Sequence, residues 1–286
     1  MLSLAVAAVA LIALFIGCNT YLRYQGWAAR KMEPDALAQV LLPDMRVRMP
    51  DGPGPFPTIL LFSGCDGPKD NMNRWADAFN AAGWGAIIVD SHTPRGYGDA
   101  QLWRLICAGQ MLTGGERAGD VAVAIDIARA RPEVDSEHIV LLGASHGGWS
   151  ILDMLSLHAS GRRPYNLIRW PESIERSEFA GVAGMILLYP YCGTGSQVAR
   201  HGWRADIPAL FLLVEGDTIA DEEPCADVAR GMAREGRDVS VLTLQGTTHG
   251  FDQAEKDPLS LLEFSPEATQ QAETAVREFL GRIGAS

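Results

Sequence analysis

His138-Ile139-Val140-Leu141-Leu142-Gly143-Ala144-Ser145-His146-Gly147-Gly148 is the stretch that decides the fold. An apolar, β-rich run of the kind found in a buried strand leads without interruption into Gly-x-Ser-x-Gly, and helical spacing follows. In that context the serine must occupy a strained, tight turn. Only glycine two positions before and two positions after it lets strand and helix approach closely enough. Such a turn lifts the Ser145 hydroxyl to the carboxyl edge of a sheet and to the amino terminus of a helix. Ser145 is therefore the candidate nucleophile.

Working outward, further apolar runs at 57–62, 85–90, 183–189, 207–214 and 239–244 read as strands with 138–143. Most are apolar throughout, as expected of parallel strands buried on both faces. Helical spacing falls between them at 71–82, 115–131, 148–158 and 222–235, and 266–282 closes the chain as an amphipathic helix. Residues 40–49 should add an antiparallel edge strand. This alternation predicts an α/β domain over 35–286, a mostly parallel sheet covered by helices on both faces. A (β/α)8 barrel would want eight regular repeats, and six parallel strands fit an open sheet better. Residues 158–179 break the rhythm and are the expected cap over the active-site edge.

A serine nucleophile needs a base and a group to orient it. Of the six histidines, His138 begins its strand at the wrong edge, and His146 is too near in sequence to reach its neighbour's hydroxyl. His158 and His201 sit in irregular connections. His92 follows the strand ending at Asp90 and competes. His249, in Gly246-Thr247-Thr248-His249-Gly250-Phe251, follows the last strand, and the chain order nucleophile, acid, base favours it. Asp217, just past the 207–214 strand, is the expected acid, with Glu215 and Asp221 as substitutes. An oxyanion hole requires two N–H groups: His146 supplies one, and the turn Ser63-Gly64-Cys65-Asp66-Gly67 the other, through Cys65 or else Asp66.

With these loops quoted, the chain resembles the dienelactone hydrolase family of α/β-hydrolases from about Pro57 to Phe251. The matching pieces are Phe62-Ser-Gly-Cys-Asp-Gly67, Asp90-Ser-His-Thr-Pro-Arg-Gly96, Gly143-Ala-Ser-His-Gly-Gly148, Glu215-Gly-Asp217 and Thr248-His-Gly-Phe251. The resemblance implies an α/β-hydrolase fold and hydrolysis of small-molecule carboxylic esters without a cofactor or metal. The family's namesakes use a cysteine nucleophile where this chain has Ser145, so ordinary ester hydrolysis is expected. Arg95 stands where it could hold a substrate carboxylate, or pin its loop in an ion pair. A serine peptidase of the same fold, and a non-catalytic, envelope-anchored binding protein, are the alternative readings.

The chain has 286 residues, 47% of them hydrophobic, enough for a large core. With 24 Lys plus Arg against 35 Asp plus Glu, the net charge is -11, and no basic run offers a face to nucleic acid. Residues 1–17 carry no charge and are apolar on every side, so 1–18 reads as a signal peptide or a membrane tether, and 19–34 as a linker. Phe15-Ile16-Gly17-Cys18 resembles a lipoprotein cleavage box. The nearby charges Arg23, Arg30 and Lys31 follow the apolar run, which by the positive-inside rule argues for a cytoplasmic body. The other four cysteines argue against it. In the expected topology Cys65 and Cys107 lie on neighbouring loops of one sheet edge, as do Cys192 and Cys225. Two disulfides with those pairings, and an exported, periplasmic or membrane-anchored protein, are the expectation.

Overall fold

A computed structural model describes residues 2–256 and 260–284. In chain order the main elements are α1 (Leu2–Tyr24), α2 (Pro34–Leu41), β1 (Arg46–Arg48), β2 (Phe56–Phe62), α3 (Asp70–Ala81) and β3 (Gly85–Val89). After them come α4 (Gly114–Arg129), β4 (Val134–Ala144), α5 (His146–Ala159), β5 (Val182–Leu188), β6 (Ala209–Val214), α6 (Glu222–Arg234), β7 (Val239–Leu244) and α7 (Pro266–Ile283). The seven strands form one sheet in the order β1-β3-β2-β4-β5-β6-β7. Only β1 is antiparallel, pairing Arg46 with Ile88 and Arg48 with Ala86.

The two faces of the sheet bury different sides of each strand, because successive side chains point oppositely. Ile59 and Leu61 pack with Met72, Trp75 and Phe79 of α3 and with Phe279 of α7. Leu60 and Phe62 pack on the other face with residues of α2, α4 and α5, such as Leu41, Val121 and Ile151. A continuous apolar strand such as Phe56–Phe62 is thus explained by burial on both sides. The parallel order places the carboxyl ends of β2, β3, β4, β5 and β6 on one edge.

One local expectation is corrected, and two segments are placed. The edge strand is confined to Arg46–Arg48, because residues 40 and 41 belong to α2, where Leu41 is buried. The helix that carries the apolar segment 1–18 runs on to Tyr24, into the expected linker 19–34, and its last turns dock on the body. Residues 158–179, the expected cap, lie beside α4. Tyr165 packs on Gly115 and Asn166 donates to Asp120 of α4 at 3.0 Å, so the segment is held against that helix and lines none of the cavity around Ser145.

Both disulfides are present as expected: Cys65–Cys107, and Cys192–Cys225. The first ties the loop after β2 to the connection after β3, and the second ties the loop after β5 to α6. Cys18 is free and exposed.

Candidate active site

Ser145 stands between β4 and α5 with φ 51° and ψ −112°, a backbone conformation that non-glycine residues rarely adopt. The turn is held because the surrounding backbone leaves no room for anything else. A Cβ on Gly143 would fall 2.5 Å from the Gly148 nitrogen, and one on Gly147 would fall 2.1 Å from the Phe62 carbonyl oxygen. The Ser145 N–H donates to the Leu188 carbonyl at 2.8 Å, fixing the turn to β5.

His249 comes from the loop after β7, and its Nε2 lies 2.9 Å from Ser145 Oγ. Its Nδ1 lies 2.6 Å from Oδ2 of Asp217, which follows β6. Residues 104 and 32 positions apart in sequence are joined in one hydrogen-bonded line. The other carboxylate oxygen of Asp217 accepts the N–H groups of Ile219 at 2.8 Å and Ala220 at 3.0 Å. Burial pushes the Asp217 carboxyl up, but the hydrogen bond from His249 and these two N–H donors outweigh it and hold it below the usual range. Glu222 braces the same loop by accepting from the N–H groups of Gly216 and Asp217. Asp221 instead caps α6, accepting from the Glu223 N–H, and Glu215 is exposed at the strand end. The structure therefore brings Ser145, His249 and Asp217 together and leaves the two substitutes outside.

His146 is the first residue of α5, so its N–H has no partner within the helix, directly after Ser145. Cys65 sits in the turn after β2, and both residues line the cavity. Behind them lies Arg117 of α4, fully buried. It donates to the Ser63 carbonyl at 2.7 Å and to Ser91 Oγ at 2.9 Å, and its Nη1 lies 3.2 Å from His146 Nδ1. Burial and this guanidinium push the His146 imidazole down to about 3, so the ring is neutral and accepts from Arg117. Burial also lowers His92 well below its ordinary value, and the ring lines no part of the cavity. His138 pairs with Asp135 beside a groove of about 610 Å³ at the opposite edge of the sheet.

The cavity over Ser145 has a volume of about 260 Å³. Trp149, Tyr191 and Trp103 supply apolar wall, and Tyr189 stands edge-on to His249 with ring centroids 4.7 Å apart. Asp66 accepts from Gln253 at 2.7 Å, and its carboxyl is raised by burial. Among the described residues that line the cavity there is no lysine or arginine. Arg95 is turned away: both terminal nitrogens donate to the buried carboxylate of Asp120, at 2.9 and 2.8 Å, and one also to the Ser91 carbonyl. A bidentate pair with a buried acid satisfies the guanidinium internally, so Arg95 pins its loop and is not offered to a ligand. No cluster of three or more His, Cys, Asp or Glu that could hold a metal ion occurs among the described residues.

Sequence reasoning missed Tyr24, Arg117 and Asp252. Asp252 is fully buried and accepts from Trp75 Nε1 at 2.7 Å and from the Tyr189 hydroxyl at 2.5 Å, which locks the ring against His249. Its place directly after the Thr248-His-Gly-Phe251 loop was the only available signal.

No family model matches the chain, and no curated protein matches it in sequence. Solved structures do. Esterase 2 of Thermogutta terrifontis, phosphonylated by cyclosarin, has 19% identity and a TM-score of 0.61, the match covering 84% of this chain and 89% of that one. The same esterase with propionate bound gives 17% identity and a TM-score of 0.59 over 84% and 89%. A Klebsiella pneumoniae protein described as a dienelactone hydrolase gives 13% identity and a TM-score of 0.59 over 85% and 92%. Sheet order, strained serine turn and these likenesses agree that the chain has the α/β-hydrolase fold.

Proposed function

We propose that the protein is a serine hydrolase of carboxylic esters, related to the dienelactone hydrolases and held at or exported through a membrane. The observation that carries the reading is the line Ser145 Oγ, His249 Nε2, His249 Nδ1, Asp217 Oδ2, with separations of 2.9 and 2.6 Å, at the base of a cavity. Ser145 Oγ attacks the ester carbonyl carbon while His249 Nε2 takes its proton. Asp217 keeps the proton of the imidazole on Nδ1 and stabilises the imidazolium. The N–H groups of His146 and Cys65 receive the negative charge on the former carbonyl oxygen. His249 then returns the proton to the departing alkoxide, leaving an acyl-Ser145. Water attacks this acyl group by the same route, releasing the acid and the serine.

Neutral esters are the favoured substrates, since no cationic side chain of the cavity could hold a substrate carboxylate while Asp66 would repel one. The neighbouring esterase is known phosphonylated by cyclosarin and bound to propionate, which supports the same chemistry here. Two disulfides and an apolar helix support export or anchoring. The test is labelling with a fluorophosphonate probe alongside a panel of aryl esters and aminoacyl amides. Labelling that disappears in Ser145→Ala, with esters turned over and amides spared, is expected. That variant should lose on the order of a million-fold in kcat while staying folded. Undiminished labelling of the variant refutes the assignment, and preferential cleavage of the amides makes the protein a peptidase.

A further inference from the structure

The last turns of α1 are part of the wall of the cavity. Tyr24 lines it and packs edge-on against Trp149, with ring centroids 6.1 Å apart. Its carbonyl accepts from the Tyr165 hydroxyl at 3.2 Å. One turn earlier, Asn19 donates to the backbone carbonyl of Gln110 at 2.9 Å, and the Gln110 amide donates to Thr20 Oγ1 at 2.6 Å. Arg23 pairs with Glu116 at 2.7 Å, an acid that is itself nearly buried. The body is shaped to receive this segment. A Cβ on Gly195 would meet the Tyr24 ring at 2.3 Å, and one on Gly109 would meet its hydroxyl at 2.8 Å. Residues 19–24 are thus fixed to the catalytic domain, whatever holds the segment before them.

The helix over Ala5–Tyr24 is long and apolar enough by length and composition to cross a membrane, and its residues 5–18, ahead of the docked turns, stand clear of the body. At 1.5 Å per residue the helix ahead of the docked turns, residues 2–18, reaches about 26 Å, close to the thickness of a hydrocarbon core, and so sets the docked turns at the headgroup level. Leu14 and Phe15 are 68% and 74% exposed, which no aqueous surface accounts for. At its far end Tyr21 and Trp27 stack edge-on and are both exposed, the aromatic pair expected at the headgroup level. Arg30 and Lys31 follow, also exposed and suited to anionic headgroups. Tyr24 therefore marks the membrane surface and a wall of the cavity at the same time. Exposed apolar residues continue around the opening at Ile219 and, beside the lining residue Leu262, at Leu261.

We propose that the Ser145 cavity opens onto a phospholipid bilayer and that its substrates are amphiphilic esters whose apolar part remains in the membrane while the ester group reaches Ser145. A cavity of about 260 Å³ holds the reacting group and a short part of either chain, and the remainder lies across the apolar rim. This substrate class rests on the ester hydrolase reading above.

The test uses the full chain in phosphatidylcholine vesicles containing some phosphatidylglycerol. Trp103, a cavity residue, reports placement: brominated phosphatidylcholine should quench the chain's fluorescence less in Trp103→Phe than in the parent. Substrate class is read from 4-methylumbelliferyl palmitate held in the vesicles and from the soluble butyrate ester. A second variant carries a Gly-Ser linker of about 20 residues between Cys18 and Asn19, which leaves the docked turn intact but separates body and bilayer by roughly 25 Å. It should lose about tenfold on the palmitate, through the lower effective concentration, and nothing on the butyrate. Palmitate turnover unchanged by the linker, or a Trp103 that bromolipid does not quench, overturns the proposal. A parent that hydrolyses neither ester refutes the ester hydrolase reading, and with it the substrate class, whatever Trp103 reports.

Discussion

Asp217→Asn isolates the orienting role of the acid, because its surroundings dictate which way the amide must face. One carboxylate oxygen accepts two backbone N–H groups, from Ile219 and Ala220, and the other faces His249 Nδ1 at 2.6 Å. An asparagine that keeps its oxygen toward the two N–H groups must present its NH₂ to Nδ1. That nitrogen then accepts, and the ring proton moves to Nε2, the atom that has to take the proton of Ser145. Turning the amide over restores the tautomer but sets NH₂ against two N–H donors. Each donor left unpaired costs about 1–3 kcal/mol, so roughly 2–6 kcal/mol in all. At 1.36 kcal/mol per tenfold, kcat/KM should fall by roughly thirtyfold to twenty-five-thousandfold. Steady-state hydrolysis of an aryl ester measures this, with a melting curve to show that the variant is folded. A loss of less than about tenfold, or an equal loss from Asp221→Asn, would refute the reasoning.

Two further outcomes concern stability. Asp153 is buried in α5, and burial outweighs its donors Ser196 Oγ and the Gln197 N–H, pushing its carboxyl up to about 7. The folded protein then keeps a proton that the unfolded chain releases between about pH 4 and pH 7, so stability should fall across that window by about 4 kcal/mol and level off above it. Asp153→Asn should flatten the dependence of Tm on pH and melt higher than the parent at pH 8; an unchanged slope would refute the assignment. Replacing Cys65 and Cys107 by alanine opens a loop of 42 residues, which chain entropy values at about 4 kcal/mol. The variant should melt lower and also turn over esters more slowly, since Cys65 belongs to the turn that faces Ser145. Full retention of both properties would show that the bridge is dispensable.

The sequence by itself determined what is enforced locally. Gly143 and Gly147 are required by backbone atoms only a few residues away or on the next strand, so the strained serine could be read from spacing alone. Long apolar runs betrayed strands buried on both faces, and their order along the chain placed His249, Asp217 and all four paired cysteines at one edge. Tertiary structure decided the rest, because each remaining feature is a contact between groups whose chemistry permits many partners. Arg95 suits a substrate carboxylate as well as Asp120, and only packing places Asp120 within reach, 25 residues on. Residues 158–179 look irregular in sequence, yet Asn166 finds Asp120 and the segment lies along α4. Residues 1–18 read in sequence as a signal peptide or a membrane anchor, and the contact of Tyr24 with Trp149 could not be read there, because exposure along α1 and docking at its end are properties of the folded surface and leave no periodic trace in the chain.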